Sequence, residues 1–245
     1  MANLDWPAFG NALWLVSDRL GIRPEWQLPV LDLESALNPA STNSGGCVGL
    51  NQLCPSTYSR YVNVPAATYK QWPASAQLSG PVFAYWRDSL AYGRIDSAAR
   101  LMVAQLGQRL LSTATAPDDT VLAAPSQEYT ANSNLDLSRN GQITVRDLAD
   151  VLARRARSPE VQEALGRAYA MRPNETPSED YSFALVDPPI IKSKAGVIAA
   201  TVGVIAIVAA ASYGALKWIT SRPEPEPEPE FEPEPLYRYY RKRLP

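Results

Sequence analysis

The chain has 245 residues, 23 basic and 25 acidic side chains, a net charge of −2 and no histidine. Without histidine, Ser-His-Asp and Cys-His catalysis and nearly all zinc chemistry are excluded, and the near-neutral balance leaves no global electrostatic case for nucleic acid. Carboxylates, hydroxyls and amides remain to carry any chemistry. The length allows one or two domains, but composition divides the chain first: residues 1 to about 190 are ordinary globular material, and residues 195–245 are not.

The N-terminus, MANLDWPAFGNALWLVSDRLGI, has no basic stretch ahead of an apolar core and no small-residue cleavage site, so it is not expected to be a secretory signal. It predicts an amphipathic helix from about Pro7, with Trp14, Leu15, Val16 and Leu20 as its apolar stripe, and residues 1–23 are expected to pack on the domain that follows. A second helix is expected over Glu25 to Ser35, stopped by Asn38-Pro39, because proline disfavours the helical basin for the residue before it. Glu34 then lies in a last helical turn. A Gly/Ser/Asn-rich loop runs from Ser41 to Gly46, followed by Gly49-Leu50-Asn51-Gln52-Leu53 and by Pro55-Ser56-Thr57, which reads as a helix start with proline in its first turn.

In this order the residues resemble the lysozyme-like lytic transglycosylases: Glu-Ser, Asn-Pro, a small-residue loop, Gly-x-x-Gly-Leu-x-Gln-apolar and Pro-x-Thr. Two departures are Cys47, where that family usually has alanine, and Asn51, where it usually has an apolar residue. The chemistry suits the pattern. A glycosidic oxygen leaves poorly until it is protonated, so cleavage needs a carboxylic acid kept protonated by partial burial, and Glu34 on an apolar helix face meets that need. Asp32, two residues away, points to another face, which argues against a paired carboxylate. A single acid/base fits a transglycosylase, where the resemblance implies that the sugar's own N-acetyl group or hydroxyl supplies the nucleophile. Ser35 and Gln52 are expected to orient Glu34 or the sugar. Cys47 and Cys54 flank the VGLNQL segment; they could close a small loop in an oxidising setting or simply be buried apolar residues.

Tyr58 to Pro73 reads as irregular, and an aromatic run, Val82 to Trp86, follows Gln77-Leu78. Tyr85 is a candidate for stacking on a sugar ring, with core packing as the alternative. Ile95 to Thr113 predicts a helix whose Leu101, Met102, Leu106 and Leu110 fall at helical spacing, Met102 filling the core, and Thr115 to Gln127 predicts a loop. Asp136 to Asp147 then resembles an EF-hand or dockerin-type loop: Asp136, Ser138, Asn140, the Gln142 carbonyl, Thr144 and Asp147 fall at the ligand positions and Gly141 at the sharp turn. Bound structural Ca²⁺ is one expectation. A loop held by its own side-chain hydrogen bonds is the other, since only Asp136 and Asp147 are charged. Tyr129 and Asn132 precede the loop; the resemblance implies a late tyrosine near an asparagine in the groove, and both could equally be turn residues. Two helices broken at Ser158-Pro159 are expected over 147–171, with Arg154, Arg155 and Arg157 on a solvated face.

The expected architecture is therefore mainly α (lysozyme-like, α+β with minimal β), with the catalytic domain at 24–171, the loop at 136–147 within it and a linker at 172–194. Residues 195–216 are uncharged over 22 positions, about 33 Å as a helix, enough to span a bilayer, and basic residues flank both ends. Residues 217–235 contain PEPEPEPEFEPEP, an extended rod of about 40 Å. The tail at 236–245, LYRYYRKRLP, is basic and tyrosine-rich and suits DNA phosphates or acidic lipid headgroups, a solubilising role being the alternative. With a wall-degrading domain and no export signal expected, the reading is a virion-associated peptidoglycan lytic transglycosylase of bacteriophage type. It would be a single-pass protein held in a virion's internal membrane or ejected with the genome, reaching the host inner membrane and periplasm on entry. Its partners would be peptidoglycan, the lipid bilayer and other virion proteins. The alternatives are a muramidase hydrolysing the same bond, or a non-enzymatic membrane-anchored structural or DNA-ejection protein whose lysozyme-like domain binds glycan.

Overall fold

A computed structural model describes residues 4–176. They form a mainly helical body with one two-stranded ribbon. The span expected at 195–216, the rod at 217–235, the tail at 236–245 and most of the linker lie outside the described residues. Among the described residues no helix is long and apolar enough to cross a membrane.

Helix α1 (Trp6–Leu20) is started by Asp5, whose carboxylate accepts from the Ala8 N–H at 3.2 Å, and is ended by Gly21 in the left-handed conformation, φ 70°. Both caps satisfy backbone groups that a helix end leaves orphaned. Trp14 and Val16 of the expected stripe are buried, with Phe9 and Leu13, whereas Leu15 is exposed and Leu20 half-buried. Trp14 donates its indole N–H to the Ala168 carbonyl at 2.9 Å, which ties the N-terminal helix to α10 (Pro159–Ala170), the last described helix. Gly10 packs closely against the Met171 side chain, which would have to shift to admit a Cβ there.

Helix α2 (Pro24–Ser35) is the hub. It is buried on nearly every side and packs against α7 (Ala98–Leu106), α9 (Val145–Ala156) and α10. Such a helix must neutralise any polar group it carries inward. Glu25 accepts from the Tyr169 hydroxyl at 2.6 Å and pairs with Arg23 at 2.7 Å, and Asp32 pairs with Arg155 of α9. Gln27 donates to the carbonyls of Ile22 and Leu13. Arg155, expected on a solvated face, is thus the pin between α2 and α9.

Between these helices lie α3 (Pro55–Tyr61), α4 (Ala66–Tyr69), α5 (Ala74–Gln77), a π-helical turn over Leu78–Val82 that carries Pro81, and α6 (Phe83–Ser89). The helix expected over Ile95–Thr113 is broken. Gly107 ends α7, and a 3₁₀ segment, Gln108–Ser112, continues it. Strand β1 (Thr120–Ala123) occupies what the sequence predicts as a loop. It pairs antiparallel with β2 (Gln142–Thr144), Leu122 opposite Ile143, before α8 (Gln127–Asn132) and the 136–147 loop are reached from β1 along the chain.

Candidate active site

Helix α2 ends at Ser35, as expected, and the stop is made by backbone geometry before Asn38-Pro39 is reached. Ala36 and Leu37 are both left-handed, φ 53° and 56°, and the Ala36 N–H closes on the Asp32 carbonyl at 2.7 Å. Two successive non-glycine residues in that region carry strain of about 1–3 kcal/mol each, which persists only where the surroundings fix it. Here they turn the chain sharply beside Glu34.

The loop after them is fixed from three directions. Val48 and Leu53 exchange backbone hydrogen bonds at 2.9 and 3.0 Å, and Gly49 and Gln52 take left-handed φ of 84° and 49° between them, so residues 48–53 form a tight hairpin. Cys47 and Cys54, on either side of that pair, are joined by a disulfide. From α2, the Ser35 hydroxyl lies 2.8 Å from the Leu50 carbonyl and 3.0 Å from that of Leu31, binding the helix end to the loop floor. From α5, the fully buried Gln77 accepts from the Leu50 N–H at 2.8 Å and donates to the carbonyls of Pro39 and Tyr69, both at 3.0 Å. Gly49 is obligatory for this approach, because a Cβ would stand 2.8 Å from Gln77 Oε1 and inside the Tyr69 ring.

Glu34 sits at the edge of this scaffold with a partly exposed surface. Burial alone pushes its carboxyl up to about 8, with no ion pair acting on it. Asp32 is committed to Arg155 on another face, as its spacing from Glu34 predicts. Burial, then Tyr61 and then the nearby Glu34, raise the hydroxyl of Tyr85 of α6, which stands close to Glu34. Its ring is buried, 6 % exposed, and its hydroxyl donates to the Ala104 carbonyl at 2.8 Å. Tyr85 is therefore a wall beside Glu34 and offers no open face for stacking. Tyr61 meets it edge-on, ring centroids 5.4 Å apart, and is held by Gln108 at 3.1 Å and Asp88 at 3.3 Å.

Gln52 is buried, and its side-chain N–H donates to the Gly49 carbonyl at 2.7 Å, so it shapes the hairpin it belongs to. Tyr129 and Asn132 fall with the second motif: the Tyr129 hydroxyl donates to Asp136 at 2.8 Å, and the Asn132 amide donates to the Glu128 carbonyl one helical turn back. That is the turn-residue alternative, and their hydrogen bonds do not bring them to Glu34. Asp136 also accepts from Ser138 at 3.0 Å and from the N–H groups of Gly141 and Asn140, which hold its carboxyl down at about 2. Thr144 and Asp147 form a reciprocal cap on α9, the threonine hydroxyl 2.7 Å from the carboxylate. Asn140 accepts from the Gln142 N–H at 2.8 Å. Among the described residues no three His, Cys, Asp or Glu side chains gather as a metal site. The loop still offers only oxygens at the ligand positions, with Gly141 at the turn, φ 84°.

Gln77, Tyr69 and Tyr61 are the site's missed members. Gln77 lies 27 residues beyond the Leu50 N–H it accepts from, and Tyr69 lies 20 residues beyond Gly49, which its ring covers. No protein-family profile, curated protein or solved structure matches this chain.

Proposed function

We propose that the chain is a peptidoglycan lytic transglycosylase of the lysozyme-like kind, with Glu34 as its single acid/base. The observation that carries this reading is a carboxyl raised to about 8 by burial, with no counter-ion, at a strained helix end braced by a disulfide-closed hairpin. Such an acid is protonated at neutral pH and can give its proton to a leaving oxygen. In the proposed reaction Glu34 protonates the oxygen between N-acetylmuramic acid and N-acetylglucosamine as the C1–O bond breaks. As carboxylate it then takes the proton of the muramic 6-hydroxyl while that oxygen bonds to C1 and closes the 1,6-anhydro ring. Tyr85 walls the acid from water, and Gln77 and Ser35 hold the loop and helix end that present it.

The setting we propose is a virion membrane, supported by the 22-residue uncharged stretch at 195–216 and the Pro-Glu segment after it, with the basic tail free to meet DNA or acidic lipid. The loop at 136–147 would hold Ca²⁺ through Asp136, Ser138, Asn140, Gln142, Thr144 and Asp147, and its contribution would be to folding.

The test is incubation of the full chain, in detergent, with purified peptidoglycan, followed by mass spectrometry of the soluble products. Sugars ending in 1,6-anhydro-muramic acid support the reading. Reducing ends would make the enzyme a hydrolase, and no release at all would favour a glycan-binding structural protein.

A further inference from the structure

Asn51 is fully buried, and both polar atoms of its side chain, Nδ2 and Oδ1, lack a hydrogen-bond partner among the described residues. An unmatched buried amide destabilises the fold, a penalty that a leucine of similar size would avoid. A buried polar group without a protein partner is most often served by internal water.

Backbone bonding links the segment that carries Asn51 to the residues beside Glu34 by two independent routes. On one side the Leu50 carbonyl is within 2.8 Å of the hydroxyl of Ser35, the residue next to Glu34. On the other, the Asn51 carbonyl accepts from the Gln105 amide, and the neighbouring Ala104 carbonyl accepts from Tyr85, whose ring stands beside Glu34. Glu34 itself makes no hydrogen bond among the described residues. The charged groups packed about α2 are engaged elsewhere: Arg155 with Asp32, Arg23 and Tyr169 with Glu25, and Arg100 of α7 with the Leu111 and Ala114 carbonyls. Asn51 and Glu34 are thus two polar side chains without partners, on segments that share these bonds.

We propose that Asn51 is a positioning residue for Glu34, its amide holding an internal water against the Glu34 carboxyl. The inference rests on Glu34 as the working acid. An acid/base must keep its orientation in both protonation states. Through one water, Nδ2 supports the carboxylate, the water accepting from the amide and donating to the oxygen; Oδ1 supports the protonated acid, the water accepting from the carboxyl and donating to the amide. Leucine can do neither, and aspartate would add a second charge.

The experiment is a carboxyl ¹³C NMR titration of the full chain labelled at glutamate, with Glu34→Gln identifying the resonance, repeated in Asn51→Leu and Asn51→Ser. In Asn51→Leu the melting temperature should hold or rise, while the Glu34 midpoint climbs by about one pH unit, a tenfold shift in its ionisation. Asn51→Ser, which keeps a donor and an acceptor, should move the midpoint far less. A folded Asn51→Leu with an unmoved midpoint overturns the proposal, as does loss of the fold in that variant. A crystal structure with no water in hydrogen-bond reach of both side chains overturns it independently. Because the readout is a titration, a chain that fails to cleave peptidoglycan would sink the functional reading and leave this measurement standing.

Discussion

Glu34, beside the glycine-bearing loop 41–54, and Asp136, within the glycine-bearing loop 136–147, are driven in opposite directions. Burial of its carboxyl, with no donor turned toward it, keeps the partly exposed Glu34 protonated up to about 8; Asp136 is buried, but hydroxyls of Tyr129 and Ser138 and two backbone N–H groups hold it ionised down to about 2. Burial raises a carboxyl only until donors arrive. The loops' anchoring differs in the same sense. Residues 41–54 are braced through their backbone by Ser35, Gln77 and the ring beneath Gly49, whereas residues 136–147 direct the Ser138 hydroxyl and their own N–H groups, with Tyr129, onto the Asp136 carboxylate. A loop braced externally can leave its acid unpartnered, and an unpartnered acid is the one able to exchange a proton with something new.

The largest expected effect breaks the first half of that contrast. Glu34→Gln should lower peptidoglycan cleavage by about 10²–10⁴-fold, the usual weight of a general acid, measured as anhydro-sugar release. Cleavage by the parent chain should fall as pH rises through about 8, where Glu34 loses its proton. The stability of the fold should move with it. Glu34 binds its proton more tightly folded than unfolded, so the folded state loses stability as pH rises from 4.5 toward about 8. Glu34→Gln should therefore match the parent's melting temperature at pH 4 and exceed it at pH 9.

Next in size is the external bracing. Gly49→Ala would place a methyl group against Gln77 and Tyr69 at a φ that alanine resists, and should destabilise the chain by about 2–4 kcal/mol in a urea melt. Breaking the disulfide is gentler. The eight-residue loop closed by Cys47 and Cys54 is worth about 2.5 kcal/mol in the chain-entropy account, so reduction, or Cys47→Ser with Cys54→Ser, should cost about that much. An intact rate after reduction would mean that Ser35 and Gln77 suffice to hold the hairpin.

Local pattern revealed much of this. Glu34 at a helix end, the Pro55 helix start and the break at Ser158-Pro159 are all set by neighbours in sequence, where capping and proline sterics act. What could not be read depends on residues far apart. Gln77 completes a loop 27 positions earlier, and nothing local marks a glutamine as a clamp. Tyr85 looks the same in sequence whether it faces a groove or the core; only the position of Ala104 decides that its hydroxyl points inward. β1 escapes notice because four residues with one fully buried side chain carry no alternation, and it exists because β2 lies beside it. Gly107 was visible inside the helical pattern, but the apolar spacing on either side of it outweighs one glycine in such a reading.

The smallest expected effect concerns the self-held loop. Asp136 and Asp147 supply only two charges, which places a loop of this type near the weak end of the range, with Kd on the order of 10⁻⁴–10⁻³ M. At ten times Kd, calcium binding to the folded chain adds about 1.4 kcal/mol, a rise of about 3–5 °C in melting temperature, and excess EGTA should reverse it. Asp136→Asn should abolish the response. It should also flatten the acid limb of stability: Asp136 is held below its ordinary 3.8, so what it contributes is present above that pH and is lost as pH falls toward about 2. If calcium leaves the melt unmoved while Asp136→Asn still flattens the acid limb, Tyr129, Ser138 and the loop's own N–H groups are sufficient for Asp136, and the loop is a calcium-free brace. In either case Glu34 should titrate unchanged, because the two loops keep their carboxylates by separate means.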